Sequence, residues 1–349
     1  MQTNNHNLDW LMENGSPAIR MRTWMEILGK KPTQEMIDDL LEYSMTQQWM
    51  VRLEPEPHFL NLHGSKPTCL ENIGGKLREL GFDVKMSPDF STKLKPYEEF
   101  LSGIGKENAM SEFSTLFTYA PLVTIGFDHL LFLDMAVDHL NHVGDFCRKM
   151  DFDIYIDPNT FGGMYSQYKG RKLLNPETNH RLPTIWIIYM LAYMPRFHRR
   201  EEIEQAESAI LNYVMTDKYQ QFPDGYGIMY HPPTQKYYSH GWEVYLPAWF
   251  GFNLERGYHE GSFLQRLELF SNFKQAQPRK WFQNSVAYFE GFKTNDGTYR
   301  FPAKFLKEGT SGYYVTGSYL RLEENRRRKI ALELDSTFRM ELIKKRISQ

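Results

Sequence analysis

The sequence predicts an all-α fold, an α/α toroid of roughly α6/α6 form with short β-like turns at one rim. Three observations point there: apolar residues at helical spacing over most of the chain, a short strand-like run that recurs, and wholly apolar segments alternating with amphipathic ones. Ile185-Trp186-Ile187-Ile188-Tyr189-Met190 is apolar nearly all round, which a helix tolerates only when covered on most sides. Residues 199–207 next to it are charged on one face. Buried then half-exposed, repeated, suggests an inner ring wrapped by an outer one. An open solenoid, the rival arrangement, would leave the aromatic inner segments wet.

Taken in order, Ser16-Pro17 reads as an N-cap with proline at the first helical position, opening a helix to about Leu28. A second runs over 33–50 with Met36, Leu40, Leu41 and Met45 in phase, and a third over 67–80 is closed by Gly81. Further helices are expected at 123–150, 183–195, 201–216, 242–255, 262–274, 278–291 and 324–346. Strict alternation is confined to 152–156, 227–230 and 298–301. These runs recur as MDFDIYIDP, FPDGYGIMYHPP and NDGTYRFP, with 71 positions from Asp153 to Asp224 and 72 from Asp224 to Asp296. After each comes a loop and then an aromatic-rich stretch: HRLPTIWIIYM at 180, HGWEVYLPAWF at 240 and GYYVTGSYLRL at 312. A looser copy spans 52–77. One domain over 1–349 is expected, with an insertion at about 85–115.

Two sets of residues carry a resemblance. DWLMENGSPAIRMRTWMEILG, at 9–29, resembles the opening segment of bacterial proteins related to the terpenoid cyclase and prenyltransferase superfamily. The repeats carrying DGYG and DGTYRFP are similar to the α/α-toroid repeats of that superfamily, where an aspartate-glycine-aromatic turn joins an outer helix to an inner one. The resemblance implies the fold and a central chamber. It does not imply one activity: no D-x-D-D acid motif stands here, DFDIYID at 151–157 being the nearest string. Cys69 and Cys147 offer neither an Asp–Cys–His metal trio nor a thioester motif.

Composition narrows the function classes. The net charge of −2, from 41 basic and 43 acidic residues, gives no long-range pull toward polyanions, so nucleic acid is not an expected partner. The run Arg326-Arg327-Arg328-Lys329, flanked by Glu323, Glu324 and Glu333, reads as a solvated helix face. Two cysteines cannot build a disulfide framework, and no leader or membrane-spanning segment is legible, so a cytoplasmic protein is expected. Phosphate-loop, dinucleotide and zinc-hydrolase motifs are absent from the sequence, so neither cofactor nor metal is expected. Homo-oligomerisation is left open.

The candidate catalytic residues are His240, Glu243 and Asp153. A histidine ahead of an inner helix would sit at the mouth of the chamber and move protons near neutral pH. Glu243 would orient it, and Asp153, if desolvated beside Tyr155, would serve as an acid. Helix capping explains His240 and Glu243 nearly as well, and turn chemistry explains Asp153. His63 and His180 occupy comparable positions, and Arg181 adds a cation suited to a carboxylate or phosphate. Trp186, Tyr189, Trp242, Tyr245 and Tyr314 would line the chamber with π faces. The stripe Asp134, Asp138 and His142 fits solvent better than a metal. The expected function is an enzyme acting by acid–base chemistry on a largely apolar small molecule, as a cyclase, isomerase or lyase. The alternatives are a non-catalytic ligand-binding or scaffold toroid and a carbohydrate-active α/α barrel.

Overall fold

The computed structural model describes residues 5–103, 109–161, 170–178, 181–194, 201–223, 225–232, 235–251 and 260–349. They are mostly helical, with one small four-stranded sheet. The chain divides into two compact units. One comprises Met1–Gly103, Pro121–Phe127 and Leu246–Gln349; the other comprises Ile104–Ala120 and Asp128–Tyr245.

In the first unit the helix starts follow from local chemistry. The Ser16 hydroxyl accepts the Ile19 amide, Pro17 takes the first helical position, and Pro17–Arg22 runs into a π-helical turn, Thr23–Ile27. Thr33 caps Gln34–Glu42. The single helix expected over 33–50 is broken at Tyr43, whose backbone is extended, and resumes as Ser44–Met50. The cause is tertiary: the Tyr43 hydroxyl donates to Leu322 O at 2.8 Å and accepts the Glu324 amide at 3.0 Å. Leu70–Glu79 stops ahead of Gly81, which has a φ of +84°, as its glycine predicts.

The C-terminal helix Ala331–Ile347 is buried without a break from Leu334 to Lys344. It carries Asp335, Arg339 and Glu341 inside, and each needs a partner there. The Asp335 carboxylate accepts the Leu322 and Glu323 amides and pairs with Arg326 at 2.5 Å. Residues 324–330 are therefore a turn and not the start of this helix, and the basic run is no helix face. Burial leaves the Asp335 carboxyl above its ordinary range despite that guanidinium.

In the second unit helix Leu130–Arg148 packs along Glu201–Val214, and Ile185–Tyr193 is buried from Ile185 to Leu191. The helix expected from 123 begins at Leu130, because Ala109–Thr124 and a turn precede it. The sheet runs in the order β1 (Tyr155–Ile156), β2 (Leu173–Leu174), β3 (Gly227–His231) and β4 (Lys236–His240). β2 and β3 are parallel; the other two pairs are antiparallel, with Gly227 opposite His240. Leu173, Ile228 and Tyr237 form its core, and Phe161 stacks on Tyr230 at 4.5 Å. The run at 298–301, in the first unit, makes only an isolated bridge between Lys293 and Tyr299.

The expected helix over 242–255 is absent across 242–251; residues 252–255 lie outside the described ones. Trp242 has a φ of +74°, Glu243 bridges Thr184, and the Ile185 amide donates to Trp242 O at 2.8 Å. A left-handed tryptophan whose carbonyl and neighbour are already engaged cannot open an α-helix. Lys236–His240 is accordingly a strand, not a loop before a helix. The equivalent stretch at 312 forms only a single 3-10 turn, Tyr314–Thr316.

Candidate functional site

The residues around β4 meet at the open end of the β3–β4 hairpin. Gly227, with a φ of +151°, lets the chain turn there: a Cβ would lie 2.3 Å from Lys172 O, the carbonyl that takes the Ile228 amide. Tyr226 before it has a φ of +49°, so left-handed residues flank both strands at this end, with Trp242 just past β4. Tyr219 and Tyr226 join hydroxyls at 2.5 Å, Tyr226 donates to Pro183 O at 2.5 Å, and the Val244 amide donates to Tyr219 at 2.8 Å. Tyr155 donates to Tyr226 O at 2.8 Å. Burial raises the hydroxyl pKa of Tyr155, Tyr219 and Tyr226, and the charge of Glu243 adds to the rise in each. These hydroxyls stay protonated at neutral pH.

His240 belongs to this junction. It is 1% exposed and its ring meets Tyr226 edge-on at 5.5 Å. Glu243 and Tyr245 are buried, and Trp242 is half-buried with its ring 6.4 Å from Phe117. Trp186 and Tyr189, 5.5 Å apart on the buried helix, are core residues. Asp153 is exposed, and its amide donates to the Asp151 carboxylate at 2.9 Å, so it sits in turn chemistry and not in a desolvated pocket. Arg181 is exposed and lines a polar cleft. His180 and Asp224 lie outside the described residues.

The first unit holds His63 and Tyr314. Tyr314 is buried within an ion network. Its hydroxyl donates to Glu79 Oε2 at 2.7 Å and is also bonded by Arg78, and its amide donates to Asn72 Oδ1 at 2.7 Å. Glu79 Oε1 accepts from Arg22 and Arg339, each at 2.9 Å. Glu268 takes the other side of both guanidiniums, closing a ring of Arg22, Glu79, Arg339 and Glu268. The three arginines around Glu79 hold its carboxyl well below the usual range, overriding the burial that would raise it. Enclosed and ion-paired on both sides of each guanidinium, this ring holds elements together.

His63 differs. Its ring is 35% exposed, and its Nδ1 lies 2.6 Å from Oε1 of Glu71, which is itself buried. The same oxygen accepts the Gly64 amide at 2.8 Å. An ionised carboxylate can only accept, so with Glu71 in that form the hydrogen bond takes its proton from Nδ1 and leaves Nε2 as the ring's other nitrogen. The Tyr313 ring stacks on His63 at 5.6 Å and 25°. Burial and the Glu71 charge raise the Tyr313 hydroxyl pKa and the Cys69 thiol pKa, so neither is a ready anion.

The loop bearing His63 is held from both sides: Asn72 Nδ2 donates to Gly64 O at 2.8 Å and Lys66 O at 2.9 Å, and Ser65 O accepts the Gly312 amide at 2.7 Å. A carboxylate fixing the tautomer of a solvent-reachable histidine is the arrangement that general acid–base chemistry uses. Glu71 and Tyr313 escaped sequence reasoning. The available signal was Glu71 in the first turn of the helix after the His63 loop, a position also explained by the helix dipole. Among the described residues, no three His, Cys, Asp or Glu side chains are grouped to share a metal ion. No helix among them is long and apolar enough to cross a membrane. No protein-family model, curated protein or solved structure matches this chain.

Proposed function

We propose that the protein is an enzyme that moves a proton on a largely apolar small molecule, as a cyclase, isomerase or lyase. His63 is the proton-carrying residue and Glu71 the positioning residue behind it. The observation that carries this reading is the half-exposed His63 ring, pinned through Nδ1 by a buried carboxylate that a backbone amide also holds. The stacked Tyr313 gives the ligand a π face beside the reacting nitrogen. His240, 1% exposed and set against Tyr226, is the weaker candidate, because a catalytic group has to reach its substrate.

The toroid is part of the same proposal. Its support is the lateral packing of Leu130–Arg148 on Glu201–Val214, two half-exposed helices on either side, in the sequence, of one buried from Ile185 to Leu191. A second reading, a non-catalytic binding or scaffold protein, is favoured by the junction around Tyr219, Tyr226 and Val244, whose hydrogen bonds serve structure.

The test is to incubate purified protein with the small-molecule fraction of a cell extract and follow depletion by mass spectrometry. Wild type, His63→Gln and His240→Gln are compared. A compound consumed by wild type and His240→Gln but spared by His63→Gln supports the proposal. Equal consumption by His63→Gln overturns the residue assignment, and no consumption by wild type favours the binding protein.

A further inference from the structure

A polar cleft of about 520 Å3 opens in the second unit, lined by His142, Asp145, Phe146, Arg148, Lys149 and Arg181. The first five come from the end of helix Leu130–Arg148 and its C-cap; Arg181 comes from the segment ahead of Ile185–Tyr193. Arg148 is compensated by Asp145 at 2.5 Å. Among the described residues, the side chains of Lys149 and Arg181 have neither an ion pair nor a hydrogen bond.

The negative end of a helix dipole attracts cations, and that accounts for Arg148 and Lys149 without any ligand. It does not account for Arg181, which faces the same cleft from another segment. Cations without an ion-pair partner, brought from two elements to one concavity, form a well for an anion with several oxygens.

We propose that this cleft binds the phosphate group of a small soluble ligand. A guanidinium fork suits two phosphate oxygens and an ammonium a third. Two cations without an ion-pair partner match a phosphate dianion, where a carboxylate would leave one of them unmet. The volume exceeds what phosphate alone fills, so an organic group fits beside Phe146. No residue is shared with the His63 proposal, and either can fail without the other.

Titration calorimetry with inorganic phosphate and with phenyl phosphate tests this, at ionic strength held constant with sodium chloride. Arg181 and Lys149 are exposed, so Arg181→Gln, Lys149→Gln and the double variant should melt as wild type does. Wild type is expected to bind saturably, with each single variant weaker and the double variant weaker by about tenfold or more. Tighter binding of phenyl phosphate identifies a phosphomonoester as the ligand; equal binding identifies the free ion. Affinity unchanged in the double variant, or no saturable heat above chloride, overturns the proposal. Uptake onto phosphatidic acid vesicles alone, with neither soluble probe bound, overturns it too.

Discussion

Glu71 Oε1 sits 2.6 Å from His63 Nδ1 while holding the Gly64 amide at 2.8 Å, so one buried oxygen sets both the tautomer and the loop beneath it. In Glu71→Gln the shape is kept and the charge is lost. On the proposed mechanism kcat falls by about 10²-fold while KM stays within a few-fold, because positioning acts on the proton transfer. Steady-state kinetics on the compound found by depletion profiling checks this. A purely structural Glu71 would instead shift KM and melting temperature together.

The ring of Arg22, Glu79, Arg339 and Glu268 makes a prediction about stability. Glu79→Gln leaves three buried guanidiniums facing a neutral amide, and breaking a buried pair from one side costs about 3–5 kcal/mol. Denaturant unfolding should show an unfolding free energy lower by that amount, read as a lower midpoint with an unchanged slope. A loss under about 1 kcal/mol would mean that the ring adds little to the fold.

The same carboxylate gives an acid dependence. Its folded pKa lies well below the unfolded value of 4.5, so its contribution is complete above that value. It is lost progressively as pH falls from 4.5 toward the folded pKa. Glu323 and Asp335, raised by burial, act in the opposite sense and gain as pH falls. Unfolding free energy measured from pH 6 downward should therefore fall less steeply in Glu79→Gln than in wild type, with the curves converging in acid. Parallel curves would contradict the assignment.

Gly75 tests close approach. A Cβ there would lie 2.1 Å from Tyr314 Cδ1 and 2.3 Å from Cγ. Alanine improves helix propensity by about 1 kcal/mol, whereas overpacking a rigid, buried ring costs about 1–3 kcal/mol. Gly75→Ala should therefore destabilise, or come out near neutral if Tyr314 shifts and gives up its Glu79 bond. A gain approaching the propensity value, read from thermal melts, would show that the ring yields freely.

Much of the helical content was legible because caps and apolar spacing act locally. Ser16-Pro17, Thr33 and Gly81 mark their ends in the structure, and Ile185–Tyr193 is buried as its composition requires. What failed depended on distant partners. HGWEVYLPAWF has helical apolar spacing, yet Thr184 and Ile185 hold its backbone in a bridge. The helix over 33–50 breaks where Tyr43 reaches across to Leu322. Asp335 ties down Arg326, which sequence alone presents as one charge in a solvated run. At the candidate site His63 was visible by its place ahead of a helix. Its partner was not, since a first-turn carboxylate gives no sign that it turns back to a loop eight residues earlier. Asp153 shows the converse: the acidic string Asp151, Asp153 and Asp157 suggested chemistry, and the chain exposes all three, with Asp153 held in a turn by Asp151.

Proton transfer by His63 is tested most directly by isotope. Purified protein is incubated in D2O with the compound it consumes, and carbon-bound deuterium in product and recovered substrate is read by mass spectrometry. Wild type should place one deuteron on carbon, and His63→Gln should place none beyond the enzyme-free control. Equal incorporation by wild type and His63→Gln, or none by wild type during turnover, would contradict the account.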